Sequence, residues 1–126
     1  MNQILSLLNY YGIEDPASSE IGIFSNEELQ KLYNDLISQS NESSLEALKV
    51  GALIEDLDIN DLNDLESRTT KTDILNVYDK LECGSRNHMR NFIGQLQLQN
   101  VSYVPQYISI EDFDAIIASP NEKCGQ

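Results

Sequence analysis

Positive charge is scarce in this chain. Its 126 residues carry 8 Lys and Arg against 21 Asp and Glu, a formal net charge of −13. Phosphate backbones and anionic lipid both need clustered Lys and Arg, so nucleic-acid and membrane partners are disfavoured. Long apolar runs are lacking as well, and no stretch approaches the roughly 20 residues that span a bilayer. No secretory leader is visible: Met1-Asn2-Gln3-Ile4 has no basic region, and Asn9 and Gly12 break the apolar run that follows. The expectation is a cytoplasmic protein. Cysteine is limited to Cys83 and Cys124. They match neither a zinc spacing nor a redox motif and are expected to be reduced thiols. A G-x-S-x-G elbow, a phosphate loop and a dinucleotide fingerprint are all absent. No activity and no cofactor is established by the sequence.

What is present is helical periodicity, in a chain that is 40% hydrophobic and long enough for one domain. Ile4, Leu7, Leu8 and Tyr11 repeat at helical spacing, and Gly12 is a stop signal. Ser25-Asn26-Glu27-Glu28 reads as a capping box, with Ser25 as the cap, opening a helix that carries Leu29, Leu32, Tyr33, Leu36 and Ile37. Ser38 to Asn41 is a polar break. A second capping box, Ser43-Ser44-Leu45-Glu46, opens a long helix to about residue 66. Another long helix begins at Thr70-Lys71-Thr72-Asp73 and runs to about residue 99. Each would be about 35–40 Å long at a helical rise, and their short connection predicts an antiparallel hairpin. Val101 to Tyr107 should be extended because Pro105 blocks helix. Ser109 then caps a short helix with Phe113, Ile116 and Ile117. The reading is one all-α domain over residues 1–119 and a frayed C-terminal tail over 120–126.

Two ionisable side chains project into apolar stripes. With Glu55 at zero on a helical wheel, Leu48, Gly51, Ala52, Ile59 and Leu62 lie within about 60° of it. Asp58 lies at the edge of that face, one turn on. With His88 at zero, Ile74, Val77, Leu81 and Phe92 lie within about 40°, and Ser85 shares the side. His88 is the only histidine. Gly84 is expected to admit a close backbone neighbour. A carboxylate aimed at a core must be paired, protonated or metal-bound. Glu55 and His88 therefore read either as a buried hydrogen-bonded pair or as metal ligands, with Asp58 a third candidate. Cys83 and His88 point about 140° apart, which argues against a nucleophile pair. Asp56, Asp58, Asn60, Asp61 and Asp64 lack the loop glycine and terminal Glu of an EF-hand.

Three runs carry a family resemblance. They are Glu46-Ala47-Leu48-Lys49-Val50-Gly51-Ala52-Leu53-Ile54-Glu55-Asp56-Leu57-Asp58-Ile59, Gly84-Ser85-Arg86-Asn87-His88-Met89-Arg90, and Tyr103-Val104-Pro105-Gln106-Tyr107-Ile108-Ser109 with Phe113-Asp114-Ala115-Ile116-Ile117. In this order they resemble the ferritin-like family labelled domain of unknown function 2202. The resemblance implies a ferritin-like helical bundle, whose metal sites take a Glu from each of two helices and a Glu-x-x-His from each of the other two. Glu55 then looks like the lone Glu of the third helix and His88 like the His of the fourth. Ser85 stands where a Glu is expected. The family pattern also places a further helix and a Glu-x-x-His before the segment that resembles Met1-Asn2-Gln3-Ile4, so the chain looks shortened at its N-terminus. The resemblance thus implies a binding or structural module with an incomplete di-metal site. The alternative is an iron-, manganese- or zinc-binding oxidase or iron-handling protein, completed by oligomerisation or by a further N-terminal segment. Apolar faces left uncovered in a partial bundle predict a homo-oligomer.

Overall fold

The computed structural model describes residues 2–125. Five helices and no strand are found among the described residues: α1 Asn2–Tyr11, α2 Glu27–Ser40, α3 Ser44–Ser67, α4 Thr72–Leu98 and α5 Ile110–Ala118. The chain is all-α, as its periodicity requires. Gly12 ends α1 at φ +66°, a left-handed conformation that favours glycine. Ser43 caps α3 by accepting from the Glu46 amide. Glu46 does not reach back to close the box; its carboxylate takes Lys49 and Gln39 instead. The cap of α2 is Asn26, which accepts from the Leu29 amide, and not Ser25, whose hydroxyl donates to the Pro16 carbonyl. Either oxygen could serve a freed amide, and the loop fixes which one does.

The two long helices pack side by side through a four-residue connection. Gly51 lies under the Phe92 ring and Glu55 meets His88. The core collects Ala52, Ile59, Met89, Ile93, Leu96, Ile108, Phe113 and Ile116 from α3, α4, α5 and the extended segment between α4 and α5. Fully burying Leu96 contributes about 1.5–3 kcal/mol. No residue of α1 is buried. It touches α4 near Asp73, which accepts from the Tyr11 hydroxyl at 2.8 Å.

The close helix contact is at Gly51. A Cβ there would lie 2.4 Å from the Phe92 ring, whereas one at Gly84 would meet nothing within 4 Å. The expectation that Gly84 admits a close neighbour is therefore corrected. Gly84→Ala should stabilise the protein by about 0.5–1 kcal/mol through helix propensity alone. Gly51→Ala should destabilise it by about 1–2 kcal/mol, because overpacking outweighs that gain. Urea denaturation of the two variants checks the opposite signs.

Candidate functional site

Glu55 sits at the floor of an open groove of about 600 Å³ between α3 and α4, whose walls include Leu62, Leu65 and Leu81. Its residue is 9% exposed, and its Oε1 lies 3.3 Å from His88 Nδ1. Burial pushes the Glu55 carboxyl above the ordinary carboxylate range, while the Ser85 hydroxyl and the His88 ring pull the other way. His88 was expected to be buried with Glu55. Its side chain is 66% exposed, on the groove's rim. The reason is that α4 is apolar on more than one side. Leu81 and His88 border the open groove, whereas the side of α4 in the core is centred on Met89, Ile93 and Leu96. Asp58 is exposed one turn along α3. Partial loss of solvent and the neighbouring Asp61 charge raise its carboxyl. Glu55 and His88 are thus brought together, but no three His, Cys, Asp or Glu side chains converge into a cation-holding group among the described residues.

A second polar centre lies inside the core. Asp56 is fully buried. Its Oδ2 accepts from the Tyr103 hydroxyl at 2.8 Å and the Gln106 amide at 2.6 Å, and its Oδ1 accepts from the Ile108 amide at 2.9 Å. The Tyr107 amide lies 3.3 Å from both oxygens. One carboxylate thereby satisfies three successive amides of a segment that has no helix or strand partner. Burial and this hydrogen bond raise the Tyr103 hydroxyl well above its usual range. The spacing of Ala52, Asp56 and Ile59 on one helical face was the available signal. The acidic neighbours of Asp56 concealed it.

A third centre corrects two expectations. Cys83 and Cys124 form a disulfide, with Cα atoms 5.6 Å apart, and are not reduced thiols. Residues 120–125 do not fray; they lie against α4. Glu122 takes both Nε and Nη2 of Arg86 at 2.9 and 2.8 Å, and Nη2 of Arg90 at 2.8 Å. Asn87 donates to the Glu122 carbonyl and accepts from its amide, both at 2.9 Å. Sequence separation hid the partners, but Cys83, Arg86, Asn87 and Arg90 share one helical face by spacing. The two guanidiniums hold the Glu122 carboxyl down at about 2. A depressed folded pKa contributes stability above the unfolded value, and that stability is lost as pH falls through the folded one. Residues 120–125 should therefore loosen between pH about 4.5 and about 2, with only a small effect on global stability because Glu122 is a third exposed. Amide hydrogen exchange across that range checks this.

An all-α domain built on a groove-floor carboxylate, a buried carboxylate clamp and a cross-linked strap is the class this geometry defines. The chain belongs to the family described as uncharacterized protein domain (DUF2202), whose profile matches residues 1–120. It is 45% identical over 124 residues to the uncharacterized protein MJ0754 of Methanocaldococcus jannaschii, an alignment covering 98% of this chain and 67% of that protein. The crystal structure of hypothetical protein MJ0754 from Methanococcus jannaschii DSM 2661 matches with a TM-score of 0.94 at 46% identity, over 97% of this chain and 70% of that one.

Proposed function

We propose that the chain is a ferritin-like helical binding or structural module in which α3 and α4 form an antiparallel hairpin. The α3–α4 groove is its working surface and receives a second helical surface, most simply that of another copy. The observation that carries this reading is Glu55: a buried carboxylate bordering an open, apolar-walled groove, with one neighbouring imidazole as partner. A cytoplasmic location belongs to the same proposal. No helix among the described residues is long and apolar enough to cross a membrane.

Glu55, His88 and Asp58 do not fit a complete metal centre within one chain. Ser85 occupies the position where the ferritin-like pattern takes a carboxylate, and Asp58 does not converge with the other two. Two donors are short of the four that zinc takes. A second reading is favoured by the 3.3 Å approach of Glu55 to His88. In it, two chains pool Glu55, Asp58 and His88 to bind iron, manganese or zinc. Thermal melting of the wild type, Glu55→Gln and His88→Ala, with and without Fe²⁺, Mn²⁺ or Zn²⁺, separates the readings. A structural pair predicts no metal-dependent shift and a cost of at most about 1–3 kcal/mol for Glu55→Gln. Ligands predict a rise in melting temperature with metal that both variants abolish. Light scattering should show a mass that increases with concentration; a monomer at every concentration would remove the self-association.

A further inference from the structure

Residues 120–125 form a strap over α4, and the α4 face beneath it carries a recognition pattern separate from the groove. Cys83, Arg86, Asn87 and Arg90 lie at i, i+3, i+4 and i+7 and present one face. Onto that face the chain lays Glu122 and, two residues on, Cys124. The contacts divide by role. Arg86 and Arg90 take the carboxylate, and Asn87 pairs with both backbone polar groups of the same residue. A free anion could take the arginines and the Asn87 N–H₂, but it has no backbone N–H to give Asn87 Oδ1. Simultaneous reading of side chain and backbone is the geometry for a glutamate within an extended peptide.

The face is also organised without Glu122. Arg90 donates to the Ile116 carbonyl, the Ser119 hydroxyl and Asn87 Oδ1. Glu82, one turn before Arg86, holds that guanidinium at 2.8 Å. Removing Glu122 therefore leaves two positioned guanidiniums and one amide. Cys83 is buried while Cys124 is only partly so, which leaves the Cys124 sulfur the more accessible of the two.

We propose that the Arg86–Asn87–Arg90 face is a binding site for a glutamate in an extended peptide, that Glu122 occupies it in cis, and that the Cys83–Cys124 bond locks this occupant in place. A dithiol reductant opens the lock. Its thiolate attacks the disulfide, the S–S bond breaks, and two electrons and two protons pass to Cys83 and Cys124. The reductant closes to its own disulfide. Glu122 then competes with an outside glutamate instead of being tethered.

The test uses the full chain. The Glu122→Gln/Cys124→Ser double variant removes the lock and the carboxylate while leaving Arg86, Asn87 and Arg90 in place. The probe is a labelled acetylated peptide of sequence Ser-Pro-Asn-Glu-Lys, with Gln replacing its Glu as control. The double variant should bind the Glu peptide at least about tenfold more tightly than the oxidised wild type does, and about tenfold more tightly than it binds the Gln peptide. Adding Arg86→Gln and Arg90→Gln should remove that binding. A second measurement needs no variant: reducing the wild type should speed amide exchange over residues 121–125 by about tenfold or more. Equal affinity for the two peptides, equal binding by the oxidised wild type and the double variant, or exchange unaffected by reduction would each overturn the proposal.

Discussion

Asp56→Ala should cost about 3–5 kcal/mol of folding stability, read as a lower urea midpoint at an unchanged slope. The substitution removes the acceptor for the Tyr103 hydroxyl and for the amides of Gln106, Tyr107 and Ile108 in one step. Those donors lie in a segment with no strand beside it, so no other protein acceptor takes over. The Ile108 amide is buried, and leaving it without a partner costs about 1–3 kcal/mol; the partly buried donors add less each, and the cavity adds to this. Against a total of about 5–15 kcal/mol for an ordinary domain, this is a large fraction. Tyr103→Phe removes a single bond and should cost only about 1 kcal/mol. The contrast decides whether the backbone amides or the tyrosine hydroxyl dominate the clamp. Equal costs for the two variants would assign the effect to Tyr103.

The second large effect is loss of the cross-link. Cys83 and Cys124 are 41 residues apart in sequence. Closing a loop of that length lowers the entropy of the unfolded chain by an amount worth up to about 4 kcal/mol at room temperature. Cys83→Ser/Cys124→Ser should therefore lower the denaturation midpoint by the equivalent of about 2–4 kcal/mol relative to the oxidised wild type. Reductant added to the wild type should reproduce most of the change. If the double variant matched the oxidised protein, the ionic contacts of Glu122 would be holding the strap without help.

Helices were legible because their signals are local. Gly12, Ser43 and Ser109 mark the same boundaries in the sequence and in the structure, since a cap or stop acts over four residues. Which face of a helix is buried was less legible. On α4, the apolar stripe around His88 and the one around Met89 compete, and the packing of α3, α5 and the extended segment decides between them. Glu55 and His88 each lie on an apolar stripe of a long helix, so their meeting could be read from the sequence; the exposure of His88 could not. The two strongest polar centres depend on partners far along the chain. Asp56 finds Gln106 and Arg86 finds Glu122 across 50 and 36 residues. Periodicity carries no information about such distant pairs. The paired cysteines belong to the same class, because connectivity is a property of the folded chain.

The reach of the Asp56 clamp also bears on the order of folding events. The carboxylate is on α3, and its amide partners lie beyond the whole of α4. Gathering them requires the chain to turn back past Asn100, which holds a left-handed φ of 57°, after the whole of α4. Contacts between α3 and α4 near their four-residue connection close short loops, whereas the clamp closes one of about 50 residues at a higher entropic cost. On that ground the clamp is expected to form after the helix pair and to contribute little at the rate-limiting step. Its loss should then speed escape from the native state and leave the rate of reaching that state almost untouched. A single buried carboxylate in this position governs how long the folded molecule lasts more than how fast it is made.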